Sequence, residues 1–146
     1  MRIRSRVSRL LVGAAAFLTA GSVLSLSATA QSVGPRVVGI TMVDSQFQPL
    51  SPIHVRKGET VKFVFRNRGK RVHEAVIGDR AAQLAHEKEM AAMGDVAMGD
   101  EPGAISVKAG RTKSMVWDFA KAGAFEIGCH EKGHYKAGMR IDVIVN

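Results

Sequence analysis

Three side chains able to hold a soft metal ion stand close together near the end of the chain. They are Cys129, His134 and Met139, in the stretch GCHEKGHYKAGM at 128–139. A thiolate, an imidazole and a thioether at Cys-x4-His-x4-Met spacing make three quarters of a mononuclear copper site. Thiolate and thioether are soft donors, imidazole suits copper, and two His with one Cys and a weak axial Met complete a trigonal centre. The second imidazole has to come from elsewhere. His73, heading the apolar run VHEAVI at 72–77, is the best-placed candidate. A lone Cys is also a common buried filler, and a lone Met beside a strand is commonly core. All three in one glycine-rich segment favour a metal. Zinc would use the Cys and the His but gains little from a thioether, which turns the choice to one copper ion.

Other histidines compete. His130 adjoins Cys129 and points to the opposite side if the chain is extended there. It is expected to be exposed beside the site, with a role close to the metal or none. His54 sits in a strand far from the loop and is read as structural. His86, Met90 and Met93 fall at i, i+4 and i+7, with Met98 close behind. Soft Cu(I) would accept that set. The other reading is that these methionines pack a helix against a sheet.

The start of the chain reads as a secretory signal, 1–30, followed by a domain at 31–146. Arg2, Arg4, Arg6 and Arg9 form a basic region, Leu10 to Ala20 is apolar, and Ala28-Thr29-Ala30 offers a cleavage site. The apolar run is short and broken by Gly13 and Gly21, which argues against a retained anchor. No Cys comes directly after the cleavage site and no Arg-Arg pair precedes it, so neither a lipoprotein nor twin-arginine export is indicated. The expected location is the periplasm, with no membrane association after cleavage.

The formal charge of +8 overstates the basicity of the working protein. Four of the 21 basic residues and none of the 13 acidic ones lie in 1–30, which leaves +4. Arg66, Arg68, Lys70 and Arg71 cluster just before His73, as a docking patch for an acidic partner or as an ordinary solvated loop. Nucleic acid is a poor partner for an exported chain with one Trp, one Tyr and no binding motif. One Cys forms no internal disulfide, and a free thiol in an oxidising compartment is a liability unless buried or occupied.

Short strands separated by turn signals position these residues. The apolar and alternating runs are 36–43, 53–56, 60–66, 72–77, 105–108, 113–119, 124–128 and 139–145. Val61, Phe63 and Phe65 share one face, as do Met139, Ile141, Val143 and Val145. About eight strands at this spacing argue an all-β, antiparallel Greek-key sandwich. Residues 79–93, rich in Ala, Glu, Gln, Lys and Met, argue a short helix inserted between strands.

The segment from Cys129 to Met139, taken with His73, resembles the C-terminal ligand loop of the cupredoxin (type 1 copper) family, which includes plastocyanin and azurin. Its wording and the helical insert look most like periplasmic cupredoxins of copper handling and tolerance. The resemblance implies a cupredoxin fold, equatorial ligands His73, Cys129 and His134, and an axial Met139. It implies one-electron transfer with a redox partner protein, or copper sequestration and delivery with a copper donor or acceptor protein. It departs from the family where many members carry Asn after the first His; here Glu74 places a carboxylate near the metal. No enzyme is expected: the chain has no His-x-His pair for further copper centres, and a Cys129–His134 thiol enzyme leaves Met139 without a purpose. A monomer is expected.

Overall fold

Alternation decides the architecture. Val61, Phe63 and Phe65 lie on one side of a strand and are fully buried, while the residues between them are half-buried. Each such side chain contributes roughly 1.5–3 kcal/mol over its exposed state. The computed structural model describes residues 34–94 and 99–146; the expected signal segment 1–30 and Met98 lie outside them. Nine strands and one helix follow in order: β1 (Arg36–Val43), β2 (Gln46–Gln48), β3 (Ile53–Val55), β4 (Thr60–Asn67), β5 (His73–Gly78), α1 (Arg80–Met93), β6 (Ala104–Val107), β7 (Thr112–Asp118), β8 (Gly123–Gly128) and β9 (Arg140–Val145).

The strands form two sheets, β2-β1-β4-β7 and β3-β9-β8-β5-β6. Their inner faces meet in a core that includes Ile40, Phe47, Phe63, Phe65, Phe119, Ile127 and Ile141. Phe119 packs edge-on against both Phe63 and Phe125, an arrangement aromatic pairs prefer. The inward face expected of the last strand holds: Ile141, Val143 and Val145 are buried, with Met139 just ahead of them.

Two expectations change. The sheets are mixed rather than antiparallel, because β1 pairs parallel with β4 and β3 parallel with β9. The ninth strand is β2, whose three residues are too few to show alternation.

The helix stands where the composition placed it, capped by the Asp79 carboxylate, which accepts from the Ala82 N–H at 2.9 Å. Its docking face was not legible. Leu84 is 52% exposed, while Gln83 and His86 are buried. Among the described residues no helix is long and apolar enough to cross a membrane.

Candidate metal centre

Neighbouring strands of one sheet bring the donors together. β5 runs antiparallel beside β8, with Val76 opposite Gly128, so the head of β5 meets the tail of β8. His73 opens β5, and Cys129 follows β8 directly. β9 lies on the other side of β8, so the chain leaves Cys129 and returns at Met139 next to it. Backbone bonds tie the intervening loop: Cys129 N–H to the Met139 carbonyl at 3.1 Å, Met139 N–H to the His134 carbonyl at 2.9 Å, and His134 N–H to the Glu131 carbonyl at 2.8 Å.

His73, Cys129 and His134 converge, with one donor atom from each within 4.8 Å of the others. The Cys129 Sγ lies 3.4 Å from His134 Nδ1 and 3.8 Å from His73 Nδ1. A first-row ion centred in a trigonal set, with bonds of about 2.3 Å to sulfur and 2.0 Å to nitrogen, holds such donors about 3.7 Å apart. The two observed separations bracket that value, so the three residues would fit a metal ion between them. Met139 is fully buried in the same core as Cys129. Its thioether as a fourth ligand rests on the loop chemistry.

His73 is held by residues that the spacing of ligands did not reveal. The buried Asn67 amide donates to the Arg71 and Val107 carbonyls, both at 2.8 Å, and its oxygen accepts from the Gly69 N–H at 2.9 Å. This fixes the turn that delivers His73. Gly69 is required there: a Cβ would sit 2.3 Å from Asp44 Oδ1 and 2.9 Å from His73 Nε2. Asp44 in turn accepts from the Lys70 N–H at 2.6 Å and lies 3.8 Å from His73 Nε2. Asn67 had one signal in the sequence. It continues the inward positions Val61, Phe63 and Phe65, and a polar residue on an apolar face must be satisfied by hydrogen bonds.

His130 turns away from the donors, as expected of the residue after Cys129, but it is 3% exposed rather than open to solvent. Its Nε2 lies 2.7 Å from Gln83 Oε1 and its Nδ1 2.6 Å from Glu87 Oε2. His54 lies exposed in β3, outside the site. Of the face expected from His86, Met90 and Met93, His86 is buried, Met90 half-buried and Met93 43% exposed. The Glu74 carboxylate lies 3.8 Å from His86 Nε2, and the Glu74 backbone N–H donates to Cys129 Sγ at 3.4 Å.

The profile of the cupredoxin-like domain family matches residues 14–139. The chain belongs to that family. It is 47% identical over 111 residues to the copper-resistant cuproprotein CopI of Rubrivivax gelatinosus, a match covering 75% of this chain and 66% of that protein. It is 33% identical over 132 residues to the CopI of Pseudomonas aeruginosa, covering 71% and 72%. In fold it is similar to the dithionite-reduced auracyanin of Roseiflexus castenholzii, with a TM-score of 0.65 at 19% identity over 75% of this chain and 96% of that one. Auracyanin A of Chloroflexus aurantiacus, a blue copper protein, gives 0.63 at 22%, covering 77% and 100%.

The electrostatics of this cupredoxin-like centre suit a metal better than a free thiol. Burial pushes the Cys129 thiol up to about 12, and the nearby Glu74 charge adds to that; the Glu74 and Glu131 backbone N–H groups work the other way and lose. His73 is held below the ordinary imidazole value by burial and then by His134. His134 is held low by burial and then by Arg71. Both rings are therefore neutral, lone-pair donors at neutral pH, and the thiol is the group that must lose a proton on binding.

The folded thiol titrates above its unfolded value of 9.0. Between those values the unfolded chain binds fewer protons, so the metal-free protein should lose stability as pH rises from about 9 toward 12. Metal affinity should run the other way, rising about tenfold per pH unit above neutrality as one proton is displaced. Competition titrations from pH 7 to 9 check this; an affinity independent of pH would mean that Cys129 does not bind as thiolate.

Proposed function

We propose that this chain is an exported type 1 copper protein that holds one copper ion between His73, Cys129, His134 and Met139 and passes single electrons. The observation that carries this reading is the convergence of the Cys129 sulfur with the Nδ1 atoms of two histidines 56 and 5 residues away. Bound copper supplies a one-electron couple in such a site. The chain's own residues do the rest. The three donors are fixed in place and buried, which excludes water and limits rearrangement. Cys129 and Met139 lie in the same buried hydrophobic core as Val107, Ile127 and Ile141. His134, 9% exposed against 0% for His73 and Cys129, is the donor nearest the surface. Arg71 is close enough to shift it, and Arg66, Arg68 and Lys70 are exposed nearby in sequence. A partner protein with an acidic face suits that rim. The chain acts as a carrier rather than an enzyme, as a monomer in the periplasm, after loss of residues 1–30.

A second reading is copper sequestration or delivery in copper tolerance. The curated relatives favour it, since both are named for copper resistance. So does an open cleft lined by Glu87, Met90, His130 and Lys132 beside the Cys129 loop.

The copper-loaded protein should show an intense visible thiolate-to-copper band, lost in Cys129→Ser. Met139→Leu should keep the band and raise the reduction potential, since loss of a weak thioether destabilises Cu(II) more than Cu(I). A band that survives Cys129→Ser, or copper lost entirely on Met139→Leu, would refute the site as assigned.

Cu(I) stoichiometry separates the two readings. An electron carrier should bind one Cu(I) in the wild type and in a Met90→Leu/Met93→Leu/Met98→Leu variant. Two ions falling to one would establish copper storage on the helix.

A further inference from the structure

The helix between β5 and β6 presents polar side chains to the sheet, and they converge behind the metal centre. Gln83 is fully buried. Its Nε2 donates to the Val76 carbonyl of β5 and the Glu126 carbonyl of β8, both at 2.9 Å. Those two donations fix which end of the amide is oxygen. Its Oε1, 2.7 Å from His130 Nε2, therefore accepts from the ring. The other ring nitrogen meets Glu87, one turn further along the helix, at 2.6 Å.

Two other rings pack on it as well. Tyr135 stacks on it at 4.5 Å and 24°, and His86 meets it edge-on at 4.8 Å. Tyr135 is itself tied by its hydroxyl, which donates to Glu126 and accepts from Arg80 at 2.9 Å. On the other side of Cys129, Gly128 leaves no room for a side chain. A Cβ there would lie 2.6 Å from Gln83 Oε1 and 2.9 Å from the Tyr135 ring. Both neighbours of Cys129 are thus clamped from the helix side while the sulfur faces His73 and His134.

We propose that Gln83 and His130 are positioning residues for the Cys129 sulfur, and that α1 serves the centre by carrying this brace. The proposal rests on the copper reading above. A buried amide with three bonds permits few alternatives, because each buried polar group left unpaired is costly. The Cβ–Sγ direction of Cys129 is therefore set before metal arrives. Losing a group that orients a ligand from behind typically costs about 10–100-fold in metal affinity.

The test uses the copper-loaded mature chain and reads the visible band, the copper hyperfine splitting by EPR, and Cu(I) affinity by competition with a chelator. Gln83→Leu removes all three amide bonds. His130→Phe removes the ring nitrogens while keeping a ring to stack on Tyr135. Each should retain one copper and the thiolate band, shift band and hyperfine splitting in the same direction, and weaken affinity roughly 10-fold. The double variant should fall short of the sum of the two single effects, since both break the Gln83–His130 bond. Leu84→Ala, on the exposed side of the same helix, should change nothing. Variants that melt earlier yet keep wild-type band, splitting and affinity would overturn the proposal, as would additive shifts in the double variant. Should Gln83→Leu not fold, an unchanged spectrum in His130→Phe overturns it alone. Absence of a thiolate band in the wild type would instead refute the copper reading.

Discussion

The sulfur of Cys129 constrains everything around it. It is fully buried, and burial pushes its ionisation up to about 12. A thiol in that position is inert as an acid, and as a thiolate it is unstable unless a cation compensates it. Two neutral imidazoles face it through Nδ1 at 3.4 and 3.8 Å, so they supply lone pairs and no charge. A metal ion at their centre satisfies all three groups at once. The fold meets the geometric demand by placing β5, β8 and β9 side by side, so that three strand ends converge on one pole of one sheet.

Support for that pole comes from two directions, and both use buried amides. In front, Asn67 knots the β4–β5 turn and delivers His73. Behind, Gln83 bridges β5, β8 and His130. Each amide bonds to backbone carbonyls, which do not change with sequence: Asn67 ties the β4–β5 turn to β6, and Gln83 ties α1 to β5 and β8. The candidate ligands therefore sit on a rigid frame, which suits the proposed electron transfer because little would move when charge changes.

Much of this was legible in the chain. The alternation of Val61, Phe63 and Phe65 and of Met139, Ile141, Val143 and Val145 reports burial directly, because side chains alternate across a strand. The Cys, His and Met spacing reports donor chemistry, and His73 could be named from its place at the head of an apolar run. What stayed hidden was relational. β2 is too short to have a period, and parallel pairing of β1 with β4 leaves no mark on either strand alone. The burial of His130 and the inward turn of Gln83 depend on a helix whose apolar residue Leu84 faces solvent. Apolar periodicity cannot find a face that docks through hydrogen bonds.

The central claim is that Cys129, His73 and His134 bind one ion together. X-ray absorption at the copper edge of the copper-loaded protein tests it most directly. A single short copper–sulfur bond with two imidazole nitrogens is the predicted first shell. A shell of nitrogen and oxygen alone, or of thioether sulfur without the short thiolate bond, would contradict it.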